Sequence, residues 1–157
     1  MNVKEFSKYQ EDIVLQHDIY GLIVGEKIGS GLFRDVYEYV DRKDLVVKIA
    51  KDTRGNICNS IEFQVWSEVM YFKNELEEIK NWFAPVESIS TNCCVLIMKR
   101  TQEKPNKKRP DLLPKLLVDT HYDNFGWIGD KFVCHDYGSQ PFFKDLTVNQ
   151  LKKLIKK

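Results

Sequence analysis

A chain of 157 residues, 43% hydrophobic and 30% charged, has the length of one globular domain and an ordinary folded make-up, which excludes a fibrous or disordered chain. A formal net charge of +1 supplies no bulk field to attract nucleic acid or a membrane surface. The longest apolar run, Cys93 to Met98, is too short to cross a bilayer, and a start carrying Lys4, Glu5 and Lys8 does not read as a secretory signal. The first predicted element is an amphipathic helix over 3–16, with Val3, Phe6, Ile13 and Val14 among charges.

A strand over Leu22–Ile28 follows, then Ile28-Gly-Ser-Gly-Leu-Phe-Arg-Asp-Val-Tyr37. Gly29 and Gly31 let the backbone turn tightly and bring its amides close to phosphate groups. Phe33 is placed to cap such a loop and Val36 to cover a flat base; without them the segment would read as a glycine-containing hairpin. Arg34 stiffens the loop. After the polar turn Asp41–Asp44 comes the strand Leu45-Val-Val-Lys-Ile-Ala50. Lys48 lies amid its apolar residues, and burying an unpaired ammonium is costly, so it needs a partner or a surface position.

Apolar residues then recur at threes and fours: Ile61, Val65, Trp66, Val69, Phe72, Leu76 and Ile79. They predict one long helix from about Ser60 to Trp82. Glu62 shares a face with Val65, Trp66 and Val69 and is the preferred partner for Lys48. Glu68 is the alternative, and Asn59-x-x-Glu62 also fits a capping box at a helix start. Glu75, Glu77 and Glu78 read as solvated charge. Ala84–Ile89 and Cys93–Met98 form a hairpin about Thr91-Asn92, completing five strands.

Residues 102–115 are polar and basic, with prolines at 105, 110 and 114, which exclude a long helix. The run Lys104 to Arg109 reads first as a solvated linker, and otherwise as a basic patch near the phosphates or a docking site for an acidic partner. Phe125–Ile128 and Lys131–His135 flank Gly129-Asp130 as a second hairpin. It carries Asn124 at one end and Asp136 at the other. Thr147-x-x-Gln150 is a capping box opening a last helix, with Leu151, Leu154 and Ile155 inward and Lys152, Lys153, Lys156 and Lys157 near its end. The four cysteines, Cys58, Cys93, Cys94 and Cys134, form no C-x-x-C pair and have apolar neighbours; they read as small buried residues of a reducing, cytoplasmic compartment.

Asp119, five residues before Asn124, and Asp136 in Asp-Tyr-Gly138 complete a set suited to phosphoryl transfer: one acid for the attacking hydroxyl, and an acid with an amide for a metal on the phosphates. Glycine loop, Lys48, Glu62, Asp119, Asn124 and Asp136 occur in an order that resembles the protein-kinase-like superfamily, across Ile28 to Gly138. The resemblance implies an α+β protein-kinase-like fold. Residues 1–101 would form an N-terminal lobe with a five-stranded antiparallel sheet and one long helix, and 102–157 a much reduced C-terminal lobe. It implies ATP and Mg²⁺ as cofactors. Ile28, Gly29, Gly31, Val36, Val46, Lys48, Glu62, Met98, Lys99 and Thr101 would hold nucleotide, with Lys99-Arg100-Thr101 as the hinge. Asn124 and Asp136 would hold the metal, and Asp119 would act on the hydroxyl.

The chain departs from that pattern in several places. Arg34 stands where a third glycine is usual and Tyr137 where phenylalanine is usual. Val118 precedes Asp119 in place of arginine. His121 stands where protein kinases usually have lysine and aminoglycoside phosphotransferases often have histidine. No Ala-Pro-Glu follows Gly138, and only nineteen residues remain after it. The resemblance is to a miniature kinase of the sort that compact viral or bacterial genomes carry.

Three functions follow: a minimal Mg-dependent phosphotransferase to a protein or small-molecule hydroxyl, a pseudokinase-like module acting through a partner, and a nucleic-acid-associated protein. The first leads slightly and the third ranks well behind. A protein partner or a second copy would replace the missing lobe.

Overall fold

The computed structural model describes residues 20–74 and 77–156. The helix expected over 3–16 lies outside them, as do Glu75, Leu76 and Lys157. Among the described residues the protein is α+β. Five antiparallel strands, β1 (Val24–Ser30), β2 (Arg34–Tyr39), β3 (Leu45–Ala50), β4 (Val86–Ile89) and β5 (Val95–Lys99), form one sheet in the order β1-β2-β3-β5-β4. β3 is central, and its residues Leu45 to Lys48 are all buried, which accounts for its unbroken apolar run. A long helix, α1 (Thr53–Tyr71), packs on β3, β4 and β5.

β1 and the long helix differ from the sequence expectation at both of their ends. β1 is displaced by two residues: Leu22 and Ile23 are helical, and the strand runs on from Val24 to Ser30, so Gly29 and Ser30 pair with Val36 and Asp35. The tight turn is Gly31–Phe33, closed by the Gly31 amide donating to the Arg34 carbonyl at 2.8 Å. The helix begins at Thr53, not Ser60. Its cap is Asp52, whose carboxylate accepts from the amides of Arg54 and Gly55. Asn59 therefore lies inside the helix and caps nothing at its start; it is fully buried, donating to the Cys93 carbonyl at 2.8 Å. The buried face of the first three turns is Gly55, Asn59 and Glu62, which no apolar periodicity can reveal. The helix also stops at Tyr71. The residues to Trp82 that were expected to continue it include two 3₁₀ segments, Phe72–Asn74 and Glu77–Trp82, and Ile79 reaches the core from the second.

Beyond β5 the chain stays against the sheet and helix. Gln102 and Trp127 exchange backbone hydrogen bonds at 2.9 Å, stapling 102–115 to the hairpin of β6 (Phe125–Ile128) and β7 (Lys131–Cys134). Gly129 turns that hairpin at φ +56°, a conformation that disfavours side chains. The basic run is engaged within the molecule. Lys107 pairs with Asp130 at 2.8 Å and sits over the Trp127 ring, while Arg109 pairs with Glu103 and stacks on Tyr122.

The last helix, α2 (Val148–Ile155), has both arms of the predicted capping box. Leu151 and Ile155 are buried, and Leu154 packs at the core edge. A single hydrophobic cluster joins Val65, Val69, Leu96 and Met98 of the sheet and helix to Phe125, Tyr137, Phe143 and Leu151. Phe83 is the bridge, with its ring centroid 5.1 Å from Tyr137 and 5.9 Å from Phe143. The four cysteines are free; Cys134 is buried and the others are only partly so. No helix among the described residues is long and apolar enough to cross a membrane.

Candidate functional site

Side chains two apart on a strand share a face, so Val46 and Lys48 project together from β3. Cross-strand register then aligns Gly29 with Val36, Val36 with Lys48, and Val46 with Met98. These residues wall a cavity of about 330 Å³ together with Ile28, Lys99, Thr101, His135 and Asp136. A second cavity of about 260 Å³ lies under the Gly31–Phe33 turn and includes Arg34, Cys58, Asp119 and Ser139 in its lining. Val36, Lys48 and Asp136 border both. The two cavities adjoin at Val36, Lys48 and Asp136, so Lys48 stands at the corner between them.

Lys48 has the partner that its burial demands. Its ammonium donates to both Glu62 oxygens at 3.0 Å and to the His135 carbonyl, which uses all three of its N–H groups. Glu62 is fully buried and also accepts from the Arg34 guanidinium at 2.8 Å and from the Tyr137 amide at 3.1 Å. Burial and the neighbouring Arg34 cation pull the Lys48 pKa below its ordinary value against the attraction of Glu62. Glu68 serves elsewhere: it accepts from the Phe143 amide and from Gln64, tying the C-terminal segment to α1.

Arg34 is the residue whose role the sequence did not disclose. It is 6% exposed and reaches Asn59 at 3.2 Å, Glu62 at 2.8 Å and Asp136 at 2.6 Å. Burial opposes its charge, but Glu62 and Asp136 outweigh that and hold its pKa above the ordinary value. Burial likewise pushes the Asp136 carboxyl up, while Lys48 and Arg34 bring it below its usual range. The turn above is clamped from outside. Lys51 donates to the Gly31 carbonyl at 2.7 Å and to Ser30 at 2.9 Å, and Lys27 pairs with Asp35 at 2.7 Å.

The three residues expected to carry chemistry are placed differently. Asp119 is exposed on the rim of the second cavity and accepts from the His121 amide at 3.2 Å. Asp136, with its side chain half exposed, borders both cavities. Asn124 lines neither. Its backbone carbonyl accepts from the His135 and Asp136 amides, so the short 3₁₀ turn Tyr122–Asn124 buttresses the segment that carries Asp136.

His135 was not foreseen in the site. Its Nδ1 lies 2.7 Å from the Thr101 hydroxyl, and burial pushes its pKa down to about 4. Gln140 was also missed. Its buried amide donates to the Leu116 carbonyl at 2.8 Å and accepts from the Val118 amide, bracing the residues just before Asp119. No local pattern marks either residue, because their partners lie 34 and 22–24 positions away. Among the described residues no group of three or more His, Cys, Asp or Glu side chains is placed to hold a metal ion. No family model matches the chain, and no curated protein matches it.

Proposed function

We propose that the chain is a minimal kinase-like protein that binds ATP across the two adjoining cavities and transfers phosphate to a hydroxyl acceptor. The observation that carries this reading is the two adjoining cavities with a buried Lys48–Glu62 pair at their corner. The flat apolar walls of the first cavity, Ile28, Val36, Val46 and Met98, suit a purine base, and the backbone of Lys99 to Thr101 offers it hydrogen-bonding groups. The second cavity suits phosphates: it has a glycine turn above and cationic side chains below. In this reading Lys48, held by Glu62, places a positive charge beside the phosphate chain, and Asp119 on the rim orients the acceptor hydroxyl.

A magnesium ion bound to nucleotide takes one or two protein ligands and fills its remaining positions with phosphate and water oxygens. Asp136 fits the first role, since its half-exposed carboxylate borders both cavities; Asn124, the expected second ligand, lines neither. The ion would supply charge neutralisation on the transferring phosphoryl group.

A second reading, a module that binds nucleotide without turnover, is favoured by the Arg34 contact to Asp136 and by the distance of Asn124 from the cavity linings. Calorimetric titration of ATP with Mg²⁺, with phosphate release followed in the same sample, separates the two. Asp136→Asn should weaken Mg-nucleotide binding. Asp119→Asn should leave binding near wild type and lower turnover by a factor on the order of 10²–10⁴. ATP binding with no turnover in wild type, and no effect of Asp119→Asn, selects the binding module. Absence of ATP binding refutes both.

A further inference from the structure

The charges around the corner of the site do not match what a metal-centred phosphate site needs. Lys48 and Arg34 face Glu62 and Asp136, so the cluster is formally neutral. Without Arg34 it would carry one net negative charge, which favours a divalent cation. One Asp136 oxygen is already engaged by the Arg34 guanidinium at 2.6 Å, and the amide expected as second ligand lies off the cavity linings. The anion side is stronger than expected. Lys48 has spent its N–H groups on Glu62 and the His135 carbonyl. Arg34 has five N–H groups, meets three acceptors, and lines the cavity under the glycine turn. Nη2 gives both of its hydrogens to Glu62 and Asp136 and Nη1 gives one to Asn59, which leaves the Nε hydrogen and one Nη1 hydrogen as separate donors for an anion.

We propose that Arg34 is a phosphate-binding residue that takes over part of the charge work of a divalent ion, so that this site holds a nucleoside triphosphate without strict need of metal. The proposal rests on the nucleotide reading above and specifies how that site recognises its ligand. Arg34 is fixed for this task by Asn59 and Glu62 beneath it, so it needs no reordering when the anion enters. The same contact holds the Asp136 carboxylate in place at the mouth of both cavities.

The test is calorimetric titration of ATP into the full chain, with excess Mg²⁺ and again with EDTA, for wild type, Arg34→Gln and Arg34→Lys. Wild type is expected to keep its ATP affinity within about tenfold when metal is removed. Arg34→Gln should lose about tenfold to hundredfold more affinity in EDTA than in Mg²⁺, the range for losing a hydrogen bond to a charged group. Arg34→Lys, which keeps the charge and loses the spare N–H donors, should fall between. If wild type binds ATP in Mg²⁺ but loses it in EDTA as completely as Arg34→Gln does, the proposal is overturned and the nucleotide reading stands. If wild type binds ATP in neither condition, both fall. Should circular dichroism show Arg34→Gln unfolded, the wild-type comparison and Arg34→Lys decide the matter.

Discussion

Glu62 is the residue on which the site and the stability of its surroundings both depend. It is wholly inaccessible to solvent and accepts from two cations and one amide: Lys48 on both oxygens, Arg34, and the Tyr137 backbone. Glu62→Gln keeps the shape and removes the charge. Lys48 and Arg34 would then face Asp136 alone, with one net positive charge left in a dry environment. Breaking a buried ion pair from one side costs about 3–5 kcal/mol. That is a large share of the roughly 5–15 kcal/mol that holds a domain together. For a chain of this length it corresponds to a fall in Tm of roughly 6–20 °C. Urea unfolding followed by the fluorescence of Trp66, Trp82 and Trp127, with thermal circular dichroism, measures the loss. The pair should also be coupled. In a Lys48→Met background Glu62→Gln should cost about 1–3 kcal/mol less than in wild type. A Glu62→Gln variant within about 1 kcal/mol of wild type, or a coupling indistinguishable from zero, would refute the buried network as described.

Two further substitutions probe how the site is held. A β-carbon at Gly55 would lie 2.4 Å from the Phe33 carbonyl and 2.8 Å from the Ala50 side chain. Gly55→Ala should therefore destabilise by about 1–3 kcal/mol, although alanine gains up to ~1 kcal/mol in helix propensity; a stabilised variant in urea unfolding would show that α1 does not meet the glycine turn this closely. Gln140→Ala strips the brace from Leu116 and Val118 and should speed hydrogen exchange at amides 116–120 while those of β3 and β5 keep their protection. Unchanged exchange at Val118 would mean that Asp119 is held by other contacts.

Local regularities reached far into this protein. The apolar run of β3, the hairpin at Gly129-Asp130 and the capping box at Thr147 are short-range patterns that form where their residues predict, and β4 and β5 begin two residues later than expected. A lysine inside an apolar strand demands a counter-charge by electrostatics alone, and Glu62, on the apolar face of α1, supplies it. The rest depended on residues distant in the chain. α1 starts early because its first turns bury Gly55 against Phe33 and Ala50, and Asn59 against Arg34 and Cys93, contacts that carry no apolar period. It ends early although Ile79 keeps the period, because a 3₁₀ segment delivers that side chain to the core. The basic run 104–109 read as a solvated linker or a basic patch in one dimension, yet Asp130, Trp127 and Tyr122 engage it in three. Arg34 is the sharpest case. Its neighbours in sequence say only that a glycine is missing, while the carboxylate that gives it meaning, Asp136, lies 102 positions away. Burial and long-range charge pairing depend on the whole chain being folded, so no window of sequence contains them.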